Sequence, residues 1–197
     1  MWIQIIGPTG SGKNFVFDAL KKDGFELLTF DVKSENPFER QVEYLMNRFR
    51  LHINASQVKD RKDVVTIRGF HDTHLIINQI LTELTTLNDR EYRILSMIYE
   101  NMFGLYSPPP DVVVFMQTPK ISALNRQKLN NIEVSEEFFN REVDLYSEFA
   151  TRIGVPVIEL DASQKADILL KNLDFGISSI KAANLGSQNI WKREFLR

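Results

Sequence analysis

The sequence predicts an α/β fold, a parallel five-stranded sheet with helices on both faces, and three observations carry that expectation. Short β-branched runs alternate with longer stretches of helical periodicity along most of the chain. A glycine-rich turn, Gly7-Pro8-Thr9-Gly10-Ser11-Gly12-Lys13, stands between the first strand and the first helix. The strongest apolar run, Asp111-Val112-Val113-Val114-Phe115-Met116, reads as a strand buried on both faces, which a covered parallel sheet provides.

The elements follow in order. Trp2-Ile3-Gln4-Ile5-Ile6 is the first strand, and residues 15–22 form a helix stopped by Gly24. Residues 25–30 read as the second strand. Asn36 caps a helix with Pro37 in its first turn, running to about residue 51. A charged loop over 59–63 precedes the third strand at 64–67. Helices are expected over 73–84 and 88–103, the second capped by Asn88 or Asp89. Ile76, Ile80 and Leu84 form a stripe suited equally to the core and to a contact in a homodimer. Pro108-Pro109-Pro110 stiffens the entry to the 111–116 strand. Ser135-Glu136-Glu137 opens a helix that Gly154 closes, with its carboxylates in the favourable first turn. Residues 155–160 make the last strand and 162–175 the last helix. Residues 1–175 thus read as one domain, and 176–197, with weak periodicity, as a tail or an arm docked on a neighbour.

Composition excludes several function classes. The 197 residues are 43% hydrophobic and 25% charged, ordinary for a soluble globular domain. A net charge of −2 offers no basic excess for a nucleic-acid partner. No apolar run nears the ~20 residues needed to cross a bilayer, so no membrane partner is expected. The first residues read as a buried strand rather than a signal peptide. Cysteine is absent, which removes disulfides and thiolate metal sites and fits a reducing, cytoplasmic setting, cellular or in a host.

The glycine-rich turn has the form G-x-x-x-x-G-K. Its glycines let successive backbone N–H groups converge on one point, and the helix start adds partial positive charge there. Lys13 reaches the β- and γ-phosphates of a bound nucleotide such as ATP. Asn14 follows where a serine or threonine hydroxyl usually meets magnesium. Its amide oxygen suits a hard cation but its N–H₂ end does not, so Mg2+ is expected on phosphate and water, with Asn14 as a poor ligand. No N-K-x-D stretch is present to read guanine. The 111–116 strand continues into Gln117-Thr118 rather than paired carboxylates. Those absences, with the short chain, turn the reading from motors and switches toward a small kinase of the P-loop kinase fold.

Further residues carry a resemblance. Asp31-Val32-Lys33-Ser34-Glu35-Asn36-Pro37-Phe38, then Gln41, then Tyr44-Leu45-Met46-Asn47-Arg48-Phe49, resembles the deoxynucleoside kinase family, in particular its bacterial deoxyadenosine and deoxyguanosine kinase branch. The likeness extends through Arg68, Pro110-Asp111-Val112 and Arg126, to about Ala162. It implies that Asp31 takes the proton from a substrate 5′-hydroxyl, beyond the C-terminal end of the second strand where such sheets bind ligands. It implies that Gln41 pairs with the base through its carboxamide and that Arg48 helps hold it. Seven residues put both on one helix face, with Phe38 and Tyr44 beside them. It implies that Arg68 contacts the transferred phosphate, although Ile67 stands where the family has an acid and Gly69 where it has serine. Asp72 lies one position early for the family's aspartate and is a further substrate-binding candidate. Arg126 and Lys128 stand for the arginine-rich lid over ATP, with Arg141 further on and Asn130 and Asn131 in place of further arginines.

His52, His71 and His74 lack a third ligand or metal-binding spacing and read as surface or half-buried residues, with His71 a candidate for the pocket wall. Three functions compete: a deoxynucleoside kinase, a monophosphate kinase of the thymidylate-kinase sort, and a nucleotide-binding protein without catalysis. The acceptor separates the first two, and Lys13→Ala is the control for all three.

Overall fold

The structure, a computed structural model, describes residues 1–105, 108–132 and 134–183. Its strands are β1 (Trp2–Ile6), β2 (Glu26–Leu28), β3 (Val64–Ile67), β4 (Val112–Gln117) and β5 (Val157–Asp161). They pair in parallel in the order β2-β3-β1-β4-β5. Ile3 faces Val65 on one side and Val112 on the other, so β1 is the centre of the sheet. The chain builds outward to β2 and β3 on one side of β1 and then crosses to β4 and β5. Parallel sheets open a ligand crevice at such a reversal, beyond the carboxyl ends of the strands. The glycine-rich turn, Arg68 and Gln117 all emerge at that edge.

Both sheet faces are covered. On one, α1 (Lys13–Lys22) and α8 (Ala166–Ala182) pack Val16, Phe17, Leu20, Leu169, Leu173 and Ile177 against Ile3, Ile5, Val112 and Val114. On the other lies a rod made of α3 (Phe70–Asp72), a π-helical segment (Thr73–Asn78) and α4 (Gln79–Glu83). It packs with α7 (Glu136–Arg152) over Ile6, Val113 and Phe115. The remaining long helices, α2 (Pro37–Val58) and α5 (Asp89–Leu105), enclose a third cluster around Leu45, Phe70, Leu95 and Tyr99. The last helix left to name, α6 (Lys120–Leu129), leads from β4 toward α7. Among the described residues no helix is long and apolar enough to cross a membrane.

Local chemistry explains most boundaries. The Asn36 side chain accepts from Glu39 N at 3.1 Å with Pro37 at the first helical position. Ser135 Oγ accepts from Phe138 N at 3.1 Å and so starts α7. Asn88, rather than Asp89, caps α5, and Glu91 returns a carboxylate to Asn88 N at 2.9 Å.

Several boundaries differ from expectation. The edge strand β2 keeps three residues rather than six. The α2 helix runs on to Val58, because Leu51 and Ala55 continue its buried stripe under Trp2 and Val64. The helix expected from residue 73 begins at Phe70, and its middle is π-helical. That rod packs against α2, α5 and α7 together, so His74, Ile76, Ile77 and Asn78 are all buried and no exposed stripe remains. Ile76 and Ile80 are therefore core residues, with Leu84 half-buried beside them. The last helix starts late because Asp161 turns the chain, accepting from Ser163 N at 2.8 Å and Ser163 Oγ at 2.7 Å. It then continues through Gly176 to Ala182. Gly176 is a packing residue there, since a Cβ would stand 2.8 Å from Ile158 Cδ1. The expected division at 175/176 thus falls inside α8, and residues 184–197 lie outside the described residues.

The histidines also depart from expectation, since all three are buried. His74 stacks on Tyr99 at 4.5 Å between ring centroids, His71 Nδ1 pairs with Tyr99 Oη at 2.8 Å, and His52 meets the Trp2 edge at 4.7 Å. Aromatic residues from distant elements build this cluster, which local periodicity does not reveal. Burial pushes His52 and His74 down from 6.5 to about 4, and His71 well below 6.5. Above pH 6.5 these rings are neutral folded or unfolded. As pH falls toward 4, the unfolded chain takes up protons that the fold refuses, so stability is lost across that window. The expected loss is roughly 3 kcal/mol for each of His52 and His74. Urea unfolding at pH 7 and pH 4.5 measures it, and His74→Phe should flatten the slope.

Candidate active site

The residues after β1 build a cradle for anions. Gly12, at φ 88°, is the N-cap of α1 and offers no side-chain cap; Phe15 N donates to the Gly12 carbonyl at 3.0 Å, so the helix start leaves the Lys13 and Asn14 amides for a ligand. Gly10 has φ +82°, and a Cβ there would lie 2.6 Å from the Ala123 carbonyl oxygen. Only glycine fits that close approach of the turn to α6.

Lys13 is buried within the turn. Its Nζ donates to the Gly7 and Pro8 carbonyls, both at 2.7 Å, and to Ser11 Oγ at 3.3 Å. Burial, and then the Arg68 charge, bring its ammonium well below the usual lysine range, with Glu142 and Asp72 opposing.

Arg68 leaves β3 in the left-handed region, at φ 57°. A non-glycine residue holds that conformation at a cost of about 1–3 kcal/mol, and such strain gathers at functional sites. Its Nη2 donates at 3.0 Å both to Thr9 Oγ1 and to Glu142 Oε1. Burial opposes the Arg68 charge, but Tyr146, Glu142 and Asp72 around it raise its pKa above the ordinary arginine value. Arg126 donates to the Gly10 carbonyl at 3.3 Å and to the Ala162 carbonyl at 2.7 Å, so it bridges the turn and the end of β5.

These groups meet in one cleft of about 420 Å³, lined by Thr9, Gly10, Gly12, Lys13, Asn14, Phe15, Arg68, Arg126, Asn130 and Ile132. Arg126 and Phe15 also line a second, more apolar cleft of about 290 Å³ with Met116, Ala162, Gln164 and Leu169. Lys128 is exposed and lines neither cleft. One helical position turns it from the P-loop, and Gln127 takes the inward place, donating to the Thr9 carbonyl at 2.9 Å. Arg141, on α7, is tied to Glu83 at 2.7 Å.

Beside the cleft, α2 brings Gln41 and Arg48 inward. Gln41 is buried, and its carboxamide oxygen has no hydrogen-bond partner. Arg48 donates to the Ile67 carbonyl at 3.0 Å, and its guanidinium carbon lies 5.5 Å from both the Phe30 and the Tyr44 ring centroids. Phe38 is half-buried against the third core cluster.

Asp72, expected to meet the substrate, lines neither of these clefts. Its carboxylate is fully buried, accepting from Gly69 N and from Tyr146 Oη, the latter at 2.9 Å. One oxygen serves the start of α3 and the other joins it to α7. Gly69 itself leaves room for the buried Gln4 amide, which a Cβ would approach to 2.5 Å. Asp31 sits in the exposed segment after β2, makes no hydrogen bond or ion pair among the described residues, and is not among the cleft-lining residues. Glu142 is the site residue that sequence reasoning missed. It is 0% exposed, and it stands on the buried stripe of α7 with Phe139, Tyr146 and Phe149. A carboxylate at that helical spacing among apolar residues was the available signal.

A parallel sheet of this order, with glycine cradle, buried lysine and strand-end arginine in one cleft, defines a P-loop phosphotransferase. Residues 27–174 match the sequence profile of the deoxynucleoside kinases, and the chain belongs to that family. Three solved structures of deoxyadenosine kinase from M. mycoides are similar in fold, each at 20% identity. The one with bound dATP has a TM-score of 0.74, covering 90% of this chain and 100% of that chain. Those with the products dCMP and a flexible dCDP, and with bound dCTP, have TM-scores of 0.76 and 0.69, each covering 91% of this chain and 100% of the other. Among curated proteins, none matches the chain. The chain is a nucleotide-using phosphotransferase of the deoxynucleoside kinase kind.

Proposed function

We propose that the chain transfers the γ-phosphoryl group of ATP to the 5′-hydroxyl of a deoxynucleoside. The observation that carries this reading is the cleft that the glycine turn, Lys13, Arg68 and Arg126 line together. Three cations beside the start of helix α1 suit a polyphosphate. The donor's base fits the apolar cleft beyond Arg126, where the exposed Phe15 ring offers stacking surface and Leu169 lines the wall.

The acceptor base is assigned to the wall formed by Gln41, Tyr44, Phe38 and Arg48. An unpartnered, buried carboxamide oxygen on Gln41 is costly unless a ligand donates to it. Lys13 and Arg68 stabilise charge on the transferring group. Asp31 is assigned as the general base. Asp72 and Glu142 are both buried and fully engaged, whereas Asp31 keeps its lone pairs open at the strand-end edge.

Magnesium fits as a cation carried in by the phosphates. Among the described residues no group of three His, Asp or Glu side chains forms a metal site, and Asn14 lines the cleft with one carboxamide oxygen. The ion would neutralise phosphate charge, held mainly by phosphate and water, with Asn14 the cleft residue that could contact it.

Asp31→Asn is expected to lower kcat at least about a hundredfold, the contribution of a positioned base, with little change in KM for ATP. An unchanged kcat would discard the assignment. The monophosphate alternative draws on Arg48, whose Nε is buried without a partner beside Arg68. Phosphorylation of deoxynucleoside monophosphates alone would replace the first reading with it.

A further inference from the structure

We infer that Glu142 is a positioning residue for phosphoryl transfer, which couples helix α7 to the glycine turn and to Arg68; the inference rests on the function proposed above. Arg68 has no carboxylate before it in the chain, where Ile67 stands. The carboxylate comes instead from 74 residues further on. Glu142 Oε2 accepts from Thr9 N at 2.7 Å, and Oε1 accepts from Thr9 Oγ1 and from Arg68 Nη2, both at 3.0 Å. Among the described residues no other group shares this carboxylate. Its three donors are one residue of the cradle and the arginine facing it.

The arrangement determines which edge of Arg68 meets a ligand. Nη2 is held by Glu142 and Thr9, while its other guanidinium N–H groups make no hydrogen bond among the described residues. The side chain is 18% exposed, and it lines the cleft. One edge is anchored and the other presented, as phosphate binding by a guanidinium requires. Thr9 is gripped from two helices, its N–H by Glu142 on α7 and its carbonyl by Gln127 on α6. A shift of α7 therefore moves the cradle tip and Arg68 together.

The test begins with Glu142→Gln, which keeps shape but removes charge and one acceptor. It should lower kcat roughly 30-fold with deoxynucleoside KM within about threefold, the pattern of misplaced catalytic groups. Adding Glu142→Gln to Arg68→Ala should lower kcat by less than about threefold more, because the first effect acts largely through Arg68. A kcat within twofold of the wild type, or effects that multiply in full, would overturn the inference. Thr9→Val and Thr9→Ser serve if Glu142→Gln does not fold. The valine should lower kcat about tenfold and the serine, which keeps the hydroxyl, should restore it to within about twofold. Equal rates in the two would overturn it as well. The Thr9 amide gives a readout apart from activity: its hydrogen exchange should be protected in the wild type and faster in Glu142→Gln. Equal exchange in both contradicts the coupling. A wild type that phosphorylates no deoxynucleoside sinks the proposed function instead, and the Thr9 amide still decides the coupling.

Discussion

Lys13→Ala is expected to lower phosphoryl transfer about a thousandfold, near the upper range for removing one preorganised charge donor. The ammonium lies between the Gly7 and Pro8 carbonyls, within the turn that receives the phosphates. Its lowered pKa, caused first by burial and then by Arg68, marks a charge that lacks full solvation. A phosphate brought into the cleft supplies the compensating anion, so the interaction strengthens as charge builds on the transferring group. Most of the loss should therefore appear in kcat, with a smaller rise in KM for ATP. Steady-state kinetics separate the two. A variant that keeps its kcat would remove Lys13 from the chemistry.

Arg68→Ala is expected to have two large effects. Transfer should fall about a thousandfold, the lower end of what an arginine contributes to phosphoryl transfer. The fold should also weaken by about 3–5 kcal/mol, because Glu142 stays buried without its cation. The two effects separate in the double variant. Adding Glu142→Gln should recover much of the stability, since a neutral amide replaces the unpaired charge, while activity stays low. Urea unfolding reads the first and kcat the second. A stability equal to the wild type in Arg68→Ala would mean that the ion pair contributes nothing to the fold.

The parts of this site legible in the sequence were those made by neighbours in the chain. The glycine turn could be read because strand, turn and helix follow one another within twenty residues. The sheet could be read because β1, β3 and β4 are short, continuous apolar runs. The Asn36 and Ser135 caps likewise depend on residues three apart. What escaped reading was assembled across distance. Glu142 resembles one more charge among Glu136, Glu137, Arg141 and Asp144, until α7 turns its buried side to Thr9 and Arg68. Asp72 resembles, one position early, the family's aspartate, yet Tyr146, 74 residues away, donates to it. The histidines looked polar by residue type, but rings from α2, α3 and α5 enclose them. The continuation of α8 through Gly176 was not legible either, because the sequence does not show the Ile158 side chain opposite that glycine.

The most direct test follows the γ-phosphate itself. Wild-type chain and Lys13→Ala are each given ATP labelled at that group, with magnesium and a panel of deoxynucleosides and their monophosphates. The expected result is label on the 5′-oxygen of at least one deoxynucleoside, lost in the lysine variant. Label that remains on ATP, passes only to water, or transfers equally well without Lys13 would contradict the cleft's assignment as the site of transfer.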